Sequence, residues 1–154
     1  MLFALSFLLI HWYSSLFFQS FYLHRYKSHR MFELSPLANR ISCFLTILSQ
    51  GPSFLRPALY ANLHIRHHQY SDTDQDPHSP HHHRNIMQMM RTTLHEYLSA
   101  QNCPEDFPKM VNFFDHMLIR FFFIGIYLAL YLNFTDSYWY LLLVPIHSLM
   151  GPIH

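Results

Sequence analysis

The chain of 154 residues is 51% hydrophobic and 18% aromatic but only 12% charged, with a formal net charge of +1. Soluble domains usually carry about 25% charged residues, and so balanced a charge gives no global case for nucleic-acid binding. The two cysteines, Cys43 and Cys103, stand far apart in no redox or metal-binding spacing, which excludes a cysteine-based zinc site.

The charges are segregated. All ten Lys and Arg fall between Arg25 and Arg120, as do eight of the nine acids, Asp136 being the exception. This is the pattern of an all-α membrane protein, transmembrane helices flanking one polar, cytoplasmic middle.

Met1 to Leu23 holds no Asp, Glu, Lys or Arg. As a helix it would be roughly 34 Å long, enough to cross a bilayer core. It lacks the positive start and small-residue cleavage site of a signal peptide. His11 is expected to be packed or interfacial rather than a ligand, because about 20 Å of helix separates it from His24. Arg25, Lys27 and Arg30 then mark the cytoplasmic end.

His24 and His29 are candidate metal ligands at a spacing of five. On a straight α-helix that spacing rotates the side chain by about 140°, aiming the pair apart. They serve one site by binding different metals, or if the chain bends between them. Ser35-Pro36 reads as an N-cap and first-turn proline, Leu37 to Ser49 as a helix, and Gly51-Pro52 as its stop. If the histidine clusters share a site, both lie on one side of the membrane. The helix between them is then re-entrant or buried, with Gln50-Gly51-Pro52 either its turning point or a simple helix end.

The centre of the chain is His64-x-x-His67-His68. Residues three and four apart share a helix face, so one turn can gather three imidazoles, a donor type that suits iron, zinc, copper and nickel. Asp72, Asp74 and Asp76 alternate behind it without the glycine and distal glutamate of an EF-hand. Asp72 and Asp74 read as surface acidity. Asp76 is a candidate to receive the free N–H of a metal-bound imidazole. His78 opens a second His-x-x-His-His, but Pro80 interrupts the helix that would align it, so it reads as a polar loop.

Ile86 to Asp115 reads as one surface helix plus a loop, with Met87, Met89 and Met90 used for packing. Phe113 to Phe134 reads as the next span, Arg120 snorkelling to the interface. Thr135-Asp136-Ser137 forms an outer turn, and Tyr138 to Ile153 returns through the bilayer with a kink at Pro145.

These residues resemble a known family. His24-Arg25-Tyr26-Lys27-Ser28-His29 followed by His64-Ile65-Arg66-His67-His68 is similar to the first two histidine boxes of the membrane fatty acid desaturases. The tail from Tyr70 through Asp76-Pro77-His78-Ser79-Pro80 looks like the acyl-CoA desaturase branch, especially its bacterial members. Gln50-Gly51 and the closing Gly151-Pro152-Ile153-His154 extend the resemblance over nearly the whole chain. It implies a di-iron centre of two Fe ions, O2 as co-substrate, and electrons from a ferredoxin or a cytochrome b5-like donor. The implied reaction is introduction of a cis double bond, of delta-9 type, into an acyl-CoA or acyl-lipid substrate. Carried over, His24, His29, His64, His67 and His68 are metal ligands, Asp76 and His78 support them, and no catalytic residue is implied beyond the ligands. The implied location is the lipid bilayer of a bacterial inner membrane, with the histidine site on the cytoplasmic side.

The family also has a third histidine box and one more ligand histidine, and this chain ends before either. Residues 1–154 are therefore expected to be the N-terminal part of a single desaturase domain, inactive alone. Asn62 and Leu63 stand where animal acyl-CoA desaturases place charged residues, so the acyl carrier stays open. The alternatives are a membrane di-iron hydroxylase of alkanes, sterols or carotenoids, and a non-enzymatic membrane metal-binding protein. The last expects ionisable residues within the spans.

Overall fold

Side-chain caps or first-turn prolines open most of the helices. In the computed structural model, which describes residues 1–76, 79–100 and 106–153, α1 (Leu2–Phe18) runs unbroken into a π-helical segment, Gln19–Ser28. Then come α2 (Pro36–Gln50), α3 (Pro57–Tyr70), α4 (Ile86–Ser99), α5 (Pro108–Asp115), α6 (Met117–Phe134) and α7 (Val144–Ile153). Short 3-10 turns fall at Gly51–Ser53, Pro80–His82 and Tyr138–Leu143. The fold of the described residues is all-helical. His78, Cys103 and His154 lie outside them.

Ser35 caps α2, its hydroxyl accepting from the Ala38 N–H at 3.3 Å, and Pro36 fills the first turn. Gly51 ends the helix at φ +53, a left-handed conformation that favours glycine. A Cβ there would lie 2.1 Å from the Tyr127 hydroxyl, and one at Gly151 would lie 2.2 Å from the Ser53 carbonyl oxygen. The Gly51–Ser53 turn is thus wedged between α6 and α7, and the Gly151 N–H donates to Ser53 Oγ at 3.0 Å. Gln50 is more than a helix end. It is buried, its amide N–H donates to Gln19 at 2.9 Å, and its oxygen accepts from the Leu55 N–H at 3.0 Å.

One apolar core, including Tyr22, Leu23, Cys43, Ile47 and Val111, joins the π segment, α2 and α5. A second, of Ala4, Tyr127, Tyr131 and Val144, joins α1, α6 and α7. Phe3 stacks on Phe134 at 5.1 Å between ring centroids, and the Met1 ammonium lies 3.7 Å from Asp136. The start of α1 therefore meets the end of α6, so the two helices run antiparallel.

Leu2–Ser28 and Met117–Phe134 are long and apolar enough to cross a membrane. Leu9, Ile10, Phe17, Phe121, Phe122 and Leu132 on these helices are exposed. The expected return span, Tyr138 to Ile153, is not one helix. It is 3-10 to Leu143 and α-helical beyond, with Pro145 in the first turn, where proline is tolerated without a kink.

The span expected from Phe113 begins instead at Met117. His116 is extended, at ψ 136, and its ring nitrogen accepts from the Leu118 N–H at 3.3 Å, starting a new helix. The preceding residues fold as α5 rather than loop. α4 matches the expected surface helix, but Met87 sits on its outer face at 68% exposure and packs little. Arg120 does not simply snorkel. Its guanidinium donates to the carbonyls of Pro52 and Phe54 and to the Asp115 carboxylate, because a tight turn leaves carbonyls without helical partners.

Candidate metal centre

A π-helix bonds residue i to residue i+5, and that winding reconciles the two upstream histidines. The His29 N–H donates to the His24 carbonyl at 3.0 Å. Residues five apart then follow one another along a face, and the His24 and His29 rings lie 4.6 Å apart. Ser28 supports the widened turn by donating its hydroxyl to the Leu23 carbonyl at 2.8 Å. The divergence expected of a straight α-helix does not occur.

α3 brings the second half. Pro57 occupies its first turn, and His64 and His68 follow one turn apart. His64 Nε2 lies 3.0 Å from His29 Nε2 and 3.1 Å from His68 Nε2. One ring nitrogen from each of His24, His29, His64 and His68 falls within 4.8 Å of all the others. Nitrogens that share an ion at about 2.0–2.1 Å sit roughly 3–4 Å apart, so the donor set fits a metal that accepts imidazole. His29 and His68 are exposed and His24 and His64 half-buried, which leaves one side of the cluster open. Burial, and then the neighbouring imidazoles, lower the His64 pKa to about 4. His64 is thus neutral at pH 7, with one ring lone pair free for a metal.

His67 stands outside this four-nitrogen group. Its ring lies 5.7 Å from that of His68, and its Nδ1 lies 3.0 Å from both oxygens of Asp76. Asp76 is only 3% exposed and also accepts from the Asp72 N–H at 3.1 Å. A carboxylate so placed assigns the proton to Nδ1 and keeps the lone pair on Nε2.

Asp72 and Asp74 are exposed but engaged. Asp72 accepts from the Ser79 hydroxyl at 3.0 Å, and Asp74 lies 3.1 Å from His82 Nδ1. Among the described residues no second group of His, Cys, Asp or Glu has metal-ligand spacing.

The sequence reading missed Tyr60, one turn before His64. Its ring stacks on His64 at 5.6 Å and 8°, and its hydroxyl lies near the Gln19 side chain. The four-residue offset was its one signal, and an aromatic at helical spacing ordinarily means packing. A cavity of about 570 Å³ opens between the two elements that carry the cluster. Cys43, Ala58, Ala61, Ile65 and Val111 form part of its apolar wall, and Lys27, Arg30, Glu33, Asn62 and Asp106 its polar side.

Over 70 residues, 45% of its length, the chain is 40% identical to the hex-5-enoyl-[acyl-carrier protein] acetylenase of Moorena producens (strain JHB). The similarity relates the chain, distantly, to histidine-box enzymes that modify fatty acids. The match covers 21% of the acetylenase, so the chain spans about a fifth of the curated relative it matches. No protein-family profile matches the chain, and no solved structure does.

Proposed function

We propose that this chain contributes a metal site to a membrane oxidoreductase that introduces unsaturation into an acyl chain. The observation that carries the reading is the convergence of His24, His29, His64 and His68 from two elements. His67, with Nδ1 held by Asp76, offers its Nε2 as a fifth donor. The metal is proposed to be iron, as a pair of ions. Bound iron would supply the dioxygen activation that side chains alone cannot perform.

The chain's own groups hold and orient. The π segment sets the height of His24 and His29, α3 that of His64 and His68, and Asp76 locks the His67 tautomer. The apolar wall of the cavity suits a hydrocarbon chain. The acetylenase similarity favours an acyl group carried on acyl carrier protein, with CoA or a lipid as the other carriers. α1 with its π segment and α6 are read as crossing the bilayer, their exposed apolar side chains facing lipid. Arg25, Lys27 and Arg30 put the cluster end in the cytoplasm.

The test is ferrous iron binding by the purified chain in lipid nanodiscs, beside His64→Ala and His29→Ala variants. Iron held by the parent and lost from both variants supports the site. Equal iron in all three overturns it. Analysis of acyl products as alkene, alkyne or alcohol then assigns the reaction.

A further inference from the structure

A second constellation lies midway along the bundle, away from the cluster. His11 on α1 and His147 on α7 face each other, Nδ1 to Nδ1, at 2.6 Å. The Tyr127 hydroxyl is 3.1 Å from His11 Nε2, and the Tyr131 hydroxyl is 2.6 Å from His147 Nε2. All four residues are buried. Polar groups at this depth in an apolar bundle are costly, and where they recur in a chain they mark proton pathways.

Counting hydrogens fixes what the four rings do. A neutral imidazole has one N–H and one lone pair. Two N–H groups cannot face each other at 2.6 Å, nor can two lone pairs. One proton therefore lies between the two Nδ1 atoms. In the neutral pair one histidine carries its proton on Nδ1 and the other on Nε2, so one tyrosine donates and the other accepts. Reversing the chain moves one proton along each of the three hydrogen bonds, while the tyrosine that receives a proton passes its own hydroxyl proton on and the tyrosine that gave one takes another in.

The constellation is not isolated. His11, Ser15 and Gln19 are buried polar residues at successive four-residue steps, hence on one face of α1 and the segment that continues it. Ser15 is fully buried, and its hydroxyl has no hydrogen-bond partner among the described residues. Buried hydroxyls are normally satisfied, commonly by a bound water. Gln19 accepts from Gln50 and lies near the hydroxyl of Tyr60, whose ring lies against His64. A polar stripe thus leads from the histidine pair to the edge of the cluster.

We propose that His11 and His147 form a proton-sharing dyad, and that Ser15 with a bound water links it to the four-histidine cluster as a proton relay. The role of the relay rests on the function proposed above. In that reaction O2 + 2 H⁺ + 2 e⁻ + –CH2–CH2– gives –CH=CH– + 2 H2O. The acyl chain gives up two hydrogens and the donor supplies two electrons, so two protons must arrive from outside. Hydroxylation of a C–H bond also consumes two.

The experiment uses the full chain in nanodiscs with 15N-labelled histidine. The parent should show a coupling between two imidazole nitrogens that share one proton, and His147→Gln should abolish it. Ser15→Val should slow deuterium exchange of that proton about tenfold or more, as when one hydrogen-bonded step is removed. Ser15→Thr has the shape of valine but keeps a hydroxyl, and it should exchange at the parental rate. Absence of the coupling in the parent overturns the dyad, and equal exchange in the valine and threonine variants overturns the relay. Iron content is read on the same samples. A parent that holds no iron but shows both effects overturns the proposed function while supporting the dyad and its path.

Discussion

His67 Nδ1 lies 3.0 Å from both carboxylate oxygens of Asp76, although nine residues separate the two in sequence. A buried acid in that position sets which ring nitrogen carries the proton and raises the basicity of the other. Asp76→Asn keeps the shape and removes the charge. Chelator competition should show its metal affinity reduced about 10–100-fold, the usual cost of losing such a partner. Affinity equal to the parent's would remove His67 from the ligand set.

The metal-free protein should lose stability on acidification. His64 has its pKa lowered from 6.5 to about 4, by burial first and neighbouring imidazoles second. Its charged form is thus disfavoured in the folded state relative to the unfolded one. The resulting contribution to stability is whole above about 6.5 and is lost as pH falls from there through about 4. Denaturation midpoints measured across that window should fall, and His64→Gln should reduce the slope. Saturating metal should hold the midpoint up until protons displace it.

The three glycines should respond differently to alanine. Gly51 combines φ +53 with the Tyr127 hydroxyl at 2.1 Å from a new Cβ, and Gly151 would place its Cβ 2.2 Å from backbone oxygen. Each alanine should cost about 1–3 kcal/mol through overpacking, with left-handed strain added at Gly51. Gly125 has nothing within 4 Å of its Cβ position and lies inside α6. Gly125→Ala should stabilise by about 0.5–1 kcal/mol. Thermal unfolding in nanodiscs orders the three.

Arg120 ties the start of α6 to the turn after α2. It donates to the Pro52 and Phe54 carbonyls and pairs with Asp115. Lysine has the charge but not the planar fork. Arg120→Lys should therefore be destabilised nearly as much as Arg120→Ala, by about 2 kcal/mol or more for the charged hydrogen bonds lost. Arg91→Ala, on an exposed position of α4, should be nearly silent. A lysine variant as stable as the parent would show that charge alone suffices at 120.

Local signals were legible wherever one residue type answers one local need. Ser35-Pro36 opens α2 and Gly51 closes it, as their capping chemistry requires. His64 and His68 share a face because they are one turn apart, and Asp76, nine residues after His67, pairs with its imidazole. The two apolar helices followed from the runs of uncharged residues, but their bounds did not: the first runs on through Arg25 and Lys27 to Ser28, and the second starts at Met117. Arg120, Gln50 and His116 were read less fully, because their partners lie on other elements or on backbone that only the fold exposes.

The sequence by itself determined the donor chemistry, the helical class and the two long apolar helices, since composition and short-range spacing are properties of the chain alone. Tertiary structure decided the rest. Only the π winding of Gln19–Ser28 turns a five-residue spacing into a shared face. Only the antiparallel packing of α1 and α6, with α7 against them, brings His11 to His147 across 136 positions of sequence. A helix face can be counted from residue numbers, but a contact between distant helices depends on how their side chains pack, and no local pattern encodes that.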